Sequence, residues 1–360
     1  MTILYDHQIF SLQKYGGISK YFAKIIEEFK KDDSTNLIVP LLFSNNYHIS
    51  DKILVKHLRV RKVKKLFSFL NARYSIYCLN NKHYNIFHPT YYDIYFLKHI
   101  GNKPFVLTVY DMIHERFRNM FSLTDTTSAM KRLLVNKASR IISISNSTKM
   151  DLMEIYGIEE SKINVVYLAN PLATKDNANI KIDLPDKYIL FVGMRTGYKN
   201  FIRFVNSVAN ILKDDKNLHI VCVGGGKFRN DEIQLLQKLN IQDHLIQYDV
   251  EDNSLPYFYK NALCLIFPSL YEGFGLPILE AFSCDCPVVC SNTSSFPEVA
   301  GDAPVYFNPY DENSIENSVE TVIYNPTIRT RLIEKGKKRL KYFSWSKTAS
   351  ETKKVYESIL

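Results

Sequence analysis

No stretch of this chain reaches the roughly 18 uncharged apolar residues that a membrane-spanning helix needs, so a transmembrane helix is not expected. The opening Met1-Thr-Ile-Leu-Tyr-Asp-His7 carries no basic leader followed by an apolar stretch, so no secretory signal is read there. Cysteine is sparse, and the six residues (Cys78, Cys222, Cys264, Cys284, Cys286 and Cys290) contain no Cys-x-x-Cys pair. Several lie inside apolar, strand-like runs, which predicts reduced core thiols in a cytoplasmic protein and argues against a zinc site. A complete Gly-x-Gly-x-x-Gly is also missing. Gly224-Gly-Gly226 comes nearest, with no acidic residue clearly placed after the next strand, and this disfavours a nicotinamide-type oxidoreductase. No zinc-finger or RNP-type signature accompanies the positive charge, which disfavours a nucleic-acid partner.

What is present is an ordinary folded composition, 46% hydrophobic and 23% charged, in a chain of 360 residues. That length predicts two domains rather than one core. Charge is unevenly shared: residues 1–170 hold 24 Lys+Arg against 14 Asp+Glu, whereas the remainder holds 22 against 23. The excess is densest at Lys56, Arg59, Arg61, Lys62, Lys64 and Lys65, within an apolar-basic stretch spanning 54–70. Such a stretch suits an anionic membrane surface, and a solvated helix face is the competing reading.

Short apolar runs alternate with helical stripes throughout, the pattern of an α/β protein with doubly wound parallel sheets. In the first half, strands are predicted at Thr2–Tyr5, Leu37–Phe43, Asn85–His88, Phe105–Val109, Arg140–Ser145 and Asn164–Leu168. Gly16-Gly17 precedes an apolar stripe at Ile18, Tyr21, Phe22, Ile25, Ile26 and Phe29, a glycine pair able to bring backbone N–H groups close to an anion. Two polar loops follow strands: Tyr110-Asp111-Met-Ile-His114-Glu115, and Ser145-Asn-Ser-Thr148, a helix N-cap. His114 could serve as acid, base or substrate partner, or simply be a capping histidine. The proline- and asparagine-containing run near 173–187 reads as a linker.

The second half restarts with Tyr188–Val192, then Gly193-Met-Arg195-Thr-Gly-Tyr-Lys199 ahead of an amphipathic helix. Two cations and a helix start after a glycine turn are what a diphosphate requires. A later strand, Ala262–Phe267, runs into Pro268-Ser-Leu-Tyr-Glu272-Gly-Phe274-Gly275-Leu276-Pro-Ile-Leu-Glu280-Ala. Gly273 and Gly275 permit a tight turn and Pro277 suits a first helical turn. Glu272 and Glu280, one on each side of that turn, can accept hydrogen bonds from a polyhydroxylated ligand. The bland alternative is two solvated glutamates near a helix start.

These residues resemble a known family. The pieces Leu255-Pro-Tyr-Phe-Tyr-Lys-Asn-Ala, Pro268–Ala281, Cys286-Pro-Val-Val and Phe296-Pro-Glu-Val-Ala-Gly-Asp-Ala are similar to the C-terminal signature of family-4 glycosyltransferases of the GT-B fold. Gly193-x-Arg195-x-x-x-Lys199-Asn200, Gly16-Gly-Ile-Ser-Lys-Tyr and Phe343-Ser-Trp345 extend the likeness over essentially the whole chain. The resemblance implies two Rossmann-like domains facing a cleft: an acceptor domain (1–172), a linker (173–187), a nucleotide-sugar domain (188–342), and a terminal helix (343–360) returning to the first. It implies that Arg195 and Lys199 bind the donor's diphosphate, with Gly16 and Gly17 approaching from the other domain. Glu280 would take the ribose hydroxyls. Glu272 would face the transferred sugar, closed over by the backbone of Phe274, Gly275 and Leu276, beyond the turn at Gly193. Many relatives carry a histidine directly before the aspartate of the loop after the fourth strand. Tyr110 stands there in this chain, so Tyr110, Asp111 and His114 share the candidacy for contact with the reacting sugar.

The expected activity is retaining transfer of a hexosyl group, mannosyl or a related sugar, from a nucleotide diphosphate-sugar to a saccharide. The acceptor is expected to be lipid-linked, in O-antigen or capsule synthesis at the inner face of the cytoplasmic membrane. No Asp-x-Asp motif occurs, so the expectation is of no cofactor and no metal, with basic side chains in its place. A nucleotide-sugar epimerase of the same fold and a non-catalytic nucleotide-sugar binder are the alternatives.

Overall fold

The structure, a computed structural model, describes residues 1–49, 64–172, 182–250 and 253–360. The basic run at 54–63 and most of the linker at 173–187 therefore lie outside the described residues. The chain divides into two units, one formed by Met1–Ala169 with Ser344–Leu360, the other by Asn170–Phe343.

In the first unit the strands are β1 (Thr2–Tyr5), β2 (Asn36–Ile38), β3 (Ile86–His88), β4 (Val106–Val109), β5 (Arg140–Ser143) and β6 (Ile163–Val165). They form two three-stranded parallel ladders, β2-β1-β3 and β4-β5-β6, joined by a parallel bridge between Phe87 and Phe105. Register is set by pairs such as Ile3 with Ile86 and Leu107 with Ile141. β3 and β4 are buried along their whole length and β1 and β5 in all but their first residue, as expected of strands with helices on both faces. β2 is shorter than the predicted Leu37–Phe43, because Pro40 has no N–H to continue a ladder. The helix Gly17–Phe29 buries Tyr21, Phe22, Ile25, Ile26 and Phe29 on one stripe. The terminal helix Trp345–Glu357 belongs to this unit; its Tyr356 ring lies 5.9 Å from that of Phe29.

The second unit has one six-stranded sheet in the order β12-β11-β10-β7-β8-β9. Its strands are β7 (Lys187–Val192), β8 (Leu218–Val223), β9 (Leu245–Tyr248), β10 (Cys264–Phe267), β11 (Val288–Ser291) and β12 (Val305–Phe307). All neighbours are parallel, and the first strand of the unit, β7, lies beside the fourth, β10. This is the doubly wound order whose reversal point, here between β7 and β10, opens a crevice at the C-terminal strand ends. Ile189, Phe191, Phe201, Phe204, Ile220, Ile266, Ile315 and Val319 are among the residues of its core. Five cysteines are buried and Cys284 is partly so, all unpaired. Among the described residues, no helix is long and apolar enough to cross a membrane.

Candidate functional site

The loops leaving β7 and β10 meet at the reversal point of the second sheet. Leu270 N donates to Tyr198 O at 2.7 Å, tying them through backbone. Lys199 ends a short 3-10 turn, Gly197–Lys199, and Asn200 then takes a left-handed conformation (φ 58°) before the helix Phe201–Asp214. The Asn200 amide donates to Pro309 O at 2.8 Å, which fixes that corner. Lys199 Nζ reaches Glu272 Oε1 at 2.5 Å, and Ser269 Oγ donates to the same oxygen at 2.8 Å. The Lys199–Glu272 pair is mostly but not fully shielded, with side chains 17% and 13% exposed. Sequence reasoning named both residues, though not that they touch.

Arg195 is placed differently from the expectation that it faces a diphosphate. Its side chain is 1% exposed, beside the equally buried Glu232, with Nε 3.2 Å from Glu232 Oε1. Nη1 donates to Gly224 O at 3.1 Å, and Nη2 to Gly226 O at 2.8 Å and Lys227 O at 3.0 Å. The guanidinium is thus a clasp for the loop after β8. That also accounts for the glycine run. Gly224, Gly225 and Gly226 all have positive φ, and a Cβ on Gly225 would lie 2.8 Å from Gly193 O and 3.0 Å from Arg195 Nη1. Gly193 itself (φ 116°) makes the turn out of β7. The signal for the clasp was the acidic helix start at Asn230–Leu239, whose Glu232 also accepts from Arg229 N at 2.7 Å.

The Glu272 loop is gripped from the far side by hydroxyls that the sequence reading did not single out. Ser294 Oγ accepts from Glu272 N at 3.0 Å and donates to Glu272 O at 2.9 Å. Ser295 Oγ lies 2.9 Å from both Glu272 O and Phe274 O, and Thr293 Oγ1 donates to Leu270 O at 3.0 Å. Phe274 packs edge-on against Phe343, ring centroids 5.9 Å apart. Gly275 (φ 99°) caps the helix Leu276–Ser283; a Cβ there would meet Phe296 and Ile278 within 3.3 Å. Glu280, on that helix, is only 8% exposed and accepts from Tyr259 Oη at 2.8 Å. Lys199 and Glu272 thus meet where the loops after β7 and β10 join, and Glu280 lies on the helix that follows Gly275; carboxylates can accept from ligand hydroxyls and an ammonium can oppose a phosphate.

In the first unit, Gly16 precedes the helix that begins at Gly17, but its N-terminal donors are partly engaged: Ser19 N donates to Gln13 Oε1 at 3.2 Å. Gly16 is extended rather than left-handed, and a Cβ on it would collide with the Gln13 amide. Tyr110, Asp111 and His114 lie on one loop after β4. The Tyr110 hydroxyl is buried, with no hydrogen-bond partner among the described residues, and its ring sits among Tyr21, Phe22 and Tyr92. Burial holds that phenol well above its ordinary pKa, so it stays a neutral hydroxyl. Asp111 caps Ile113 N at 3.0 Å through its carboxylate. His114 is half-buried, stacked on Phe121 at 4.1 Å, with Nε2 3.7 Å from Asp125 Oδ2. Behind the loop, the fully buried Lys131 donates to Asp111 O and Glu115 Oε2, each at 2.9 Å. This support was also not read from sequence.

Comparison with known proteins gives the family and the fold. Residues 173–339 match the family model of glycosyl transferases group 1, and residues 15–169 match that of glycosyltransferase family 4. The chain is 33% identical over 174 residues to the O-antigen chain mannosyltransferase B of Escherichia coli, covering 47% of this chain and 45% of that one. It is 28% identical over 226 residues to the N-acetylgalactosamine-N,N'-diacetylbacillosaminyl-diphospho-undecaprenol 4-alpha-N-acetylgalactosaminyltransferase of Campylobacter jejuni, covering 62% and 61%. The match therefore spans under two thirds of either relative. The crystal structure of Anabaena Alr3699/HepE in complex with UDP and glucose superposes with TM-score 0.75 at 16% identity, over 99% of this chain and 100% of that one. The doubly wound sheets, the loops that carry Lys199 and Glu272 at their reversal point, and both family matches lead to one assignment: the chain belongs to the group 1, family-4 glycosyltransferases of the GT-B fold.

Proposed function

We propose that this protein transfers a hexosyl group, mannosyl or a closely related sugar, from a nucleotide diphosphate-sugar to a lipid-linked saccharide, with retention at the anomeric carbon. The product belongs to a bacterial surface polysaccharide. The observation that carries the reading is the Lys199–Glu272 contact of 2.5 Å at the reversal point of the second sheet. In the reaction, the bond between the anomeric carbon and the diphosphate oxygen breaks while the acceptor oxygen bonds to that carbon on the same face. Negative charge grows on the departing diphosphate, where the Lys199 ammonium stabilises it in place of a metal. The acceptor's proton passes to the departing phosphate oxygen. Glu272 accepts from hydroxyls of the transferred sugar and keeps Lys199 in position, and Glu280 accepts from the ribose.

The lipid-linked acceptor is supported by the relatives that act in O-antigen synthesis and on a diphospho-undecaprenol substrate. The test is a panel of nucleotide sugars, with acceptor presented in anionic or neutral vesicles, following release of nucleoside diphosphate and the anomeric configuration of the product. One donor should turn over with retention, fastest on anionic vesicles. Glu272→Ala should raise the barrier by about 2–4 kcal/mol. An inverted product, turnover blocked by chelation, or near wild-type transfer by Glu272→Ala would overturn the reading.

A further inference from the structure

The Glu280 carboxylate does not hold its own position. Tyr259 Oη donates to Glu280 Oε2 at 2.8 Å, and the tyrosine is fully buried on the helix Leu255–Asn261. That helix is itself anchored: Tyr188 Oη, from β7, donates to Phe258 O at 2.7 Å. A rigid path therefore runs from the sheet strand at the reversal point, through Phe258 and Tyr259, to one oxygen of Glu280. A glutamate has three rotatable side-chain bonds, and a tyrosine ring packed in a core has almost none left. The phenol can donate one proton, and a carboxylate oxygen accepts it, so the contact orients Glu280.

We propose that Tyr259 is a positioning residue for nucleotide recognition, holding Glu280 so that the site discriminates ribose from deoxyribose. The proposal rests on Glu280 as the acceptor of ribose hydroxyls. Tyr259 touches neither donor nor acceptor in this scheme. Its contribution shows in how sharply the site reads a sugar hydroxyl, because a carboxylate that has lost one donor is less narrowly oriented toward that hydroxyl.

The experiment measures binding of UDP, GDP, 2'-deoxy-UDP and 2'-deoxy-GDP to the wild type, Tyr259→Phe and Glu280→Ala, alongside the thermal midpoint of each. The wild type should prefer the ribonucleotide of whichever base it binds by tenfold or more. Glu280→Ala should lose that preference. Tyr259→Phe, which removes a single oxygen, should bring it to within about threefold, with the ribonucleotide weakened more than the deoxynucleotide. A merely structural tyrosine would weaken both nucleotides alike and leave their ratio intact. Retention of the full wild-type ratio by Tyr259→Phe, with Glu280→Ala having lost it, overturns the positioning role alone. Retention of the ratio by Glu280→Ala overturns the assignment of Glu280, and this proposal with it.

Discussion

Ser294 has the left-handed backbone (φ 50°) that side-chain-bearing residues rarely adopt, and its hydroxyl makes two hydrogen bonds to the main chain of Glu272. Left-handed geometry costs a non-glycine residue roughly 1–2 kcal/mol, and each hydrogen bond recovers about 1 kcal/mol. The two effects can be separated by substitution. Ser294→Ala loses the hydroxyl and keeps the strain, so it should be destabilised by about 1–2 kcal/mol. Ser294→Gly loses the hydroxyl and relieves the strain, so it should be more stable than the alanine variant by about 1 kcal/mol. Chemical denaturation of both variants checks the order, and an alanine variant as stable as the glycine one would contradict it. At this scale the sequence was partly legible. Lys199, Glu272, Glu280 and the turn glycines announce themselves, because local spacing after a strand restricts what such residues can do. Ser294, Tyr259 and Lys131 do not, since each acts on a loop far from it in sequence and no local pattern marks a serine, tyrosine or lysine for that role.

The elements show the same division. Alternating apolar runs and stripes made most strands readable, whereas β2 stops short at a proline whose effect outweighs the apolar run around it. The packing of Arg195 is hidden from sequence for a related reason. Its spacing to Lys199 suits a phosphate, but the helix Asn230–Leu239 brings Glu232 against it, in a pair whose side chains are 1% and 0% exposed. Breaking a buried pair from one side strands the other charge, which costs about 3–5 kcal/mol. Glu232→Gln should therefore be destabilised by about that amount. Adding Arg195→Gln to Glu232→Gln should restore part of the loss, because no charge is then left unpaired. Urea unfolding of the two single variants and the double variant measures the coupling. If the losses simply add, the buried clasp is not what holds the loop after β8. Arg195→Gln alone should likewise appear as lost stability, because it strands Glu232 and releases Gly224 O and Gly226 O.

Across the whole chain, the last helix returns to the unit in which the chain began, and the contact is polar as well as apolar. Tyr356 Oη lies 2.6 Å from His88 Nδ1 and 3.0 Å from Tyr5 Oη, and His88 Nε2 lies 3.0 Å from Thr108 Oγ1. One fully buried imidazole thus links β1, β3, β4 and a helix 268 residues downstream. Burial without a nearby carboxylate disfavours the imidazolium, and the His88 pKa is pushed down from 6.5 to about 3. The sign of the resulting pH dependence follows. Above about pH 6.5 the ring is neutral in both folded and unfolded chains and contributes no slope. Below that, the unfolded chain takes up a proton that the folded chain refuses until about pH 3, so stability falls by as much as about 1.4 kcal/mol per pH unit. His88→Gln keeps groups able to bond Tyr356 and Thr108 but does not titrate. The wild type should be the more stable protein at pH 8, and its advantage should shrink steadily from pH 6 to pH 4, where the other histidines and carboxylates act equally on both proteins. Unfolding free energies of the pair across pH 4–8 test this. A constant difference over that range would mean that His88 takes up its proton as readily in the folded chain as in the unfolded one.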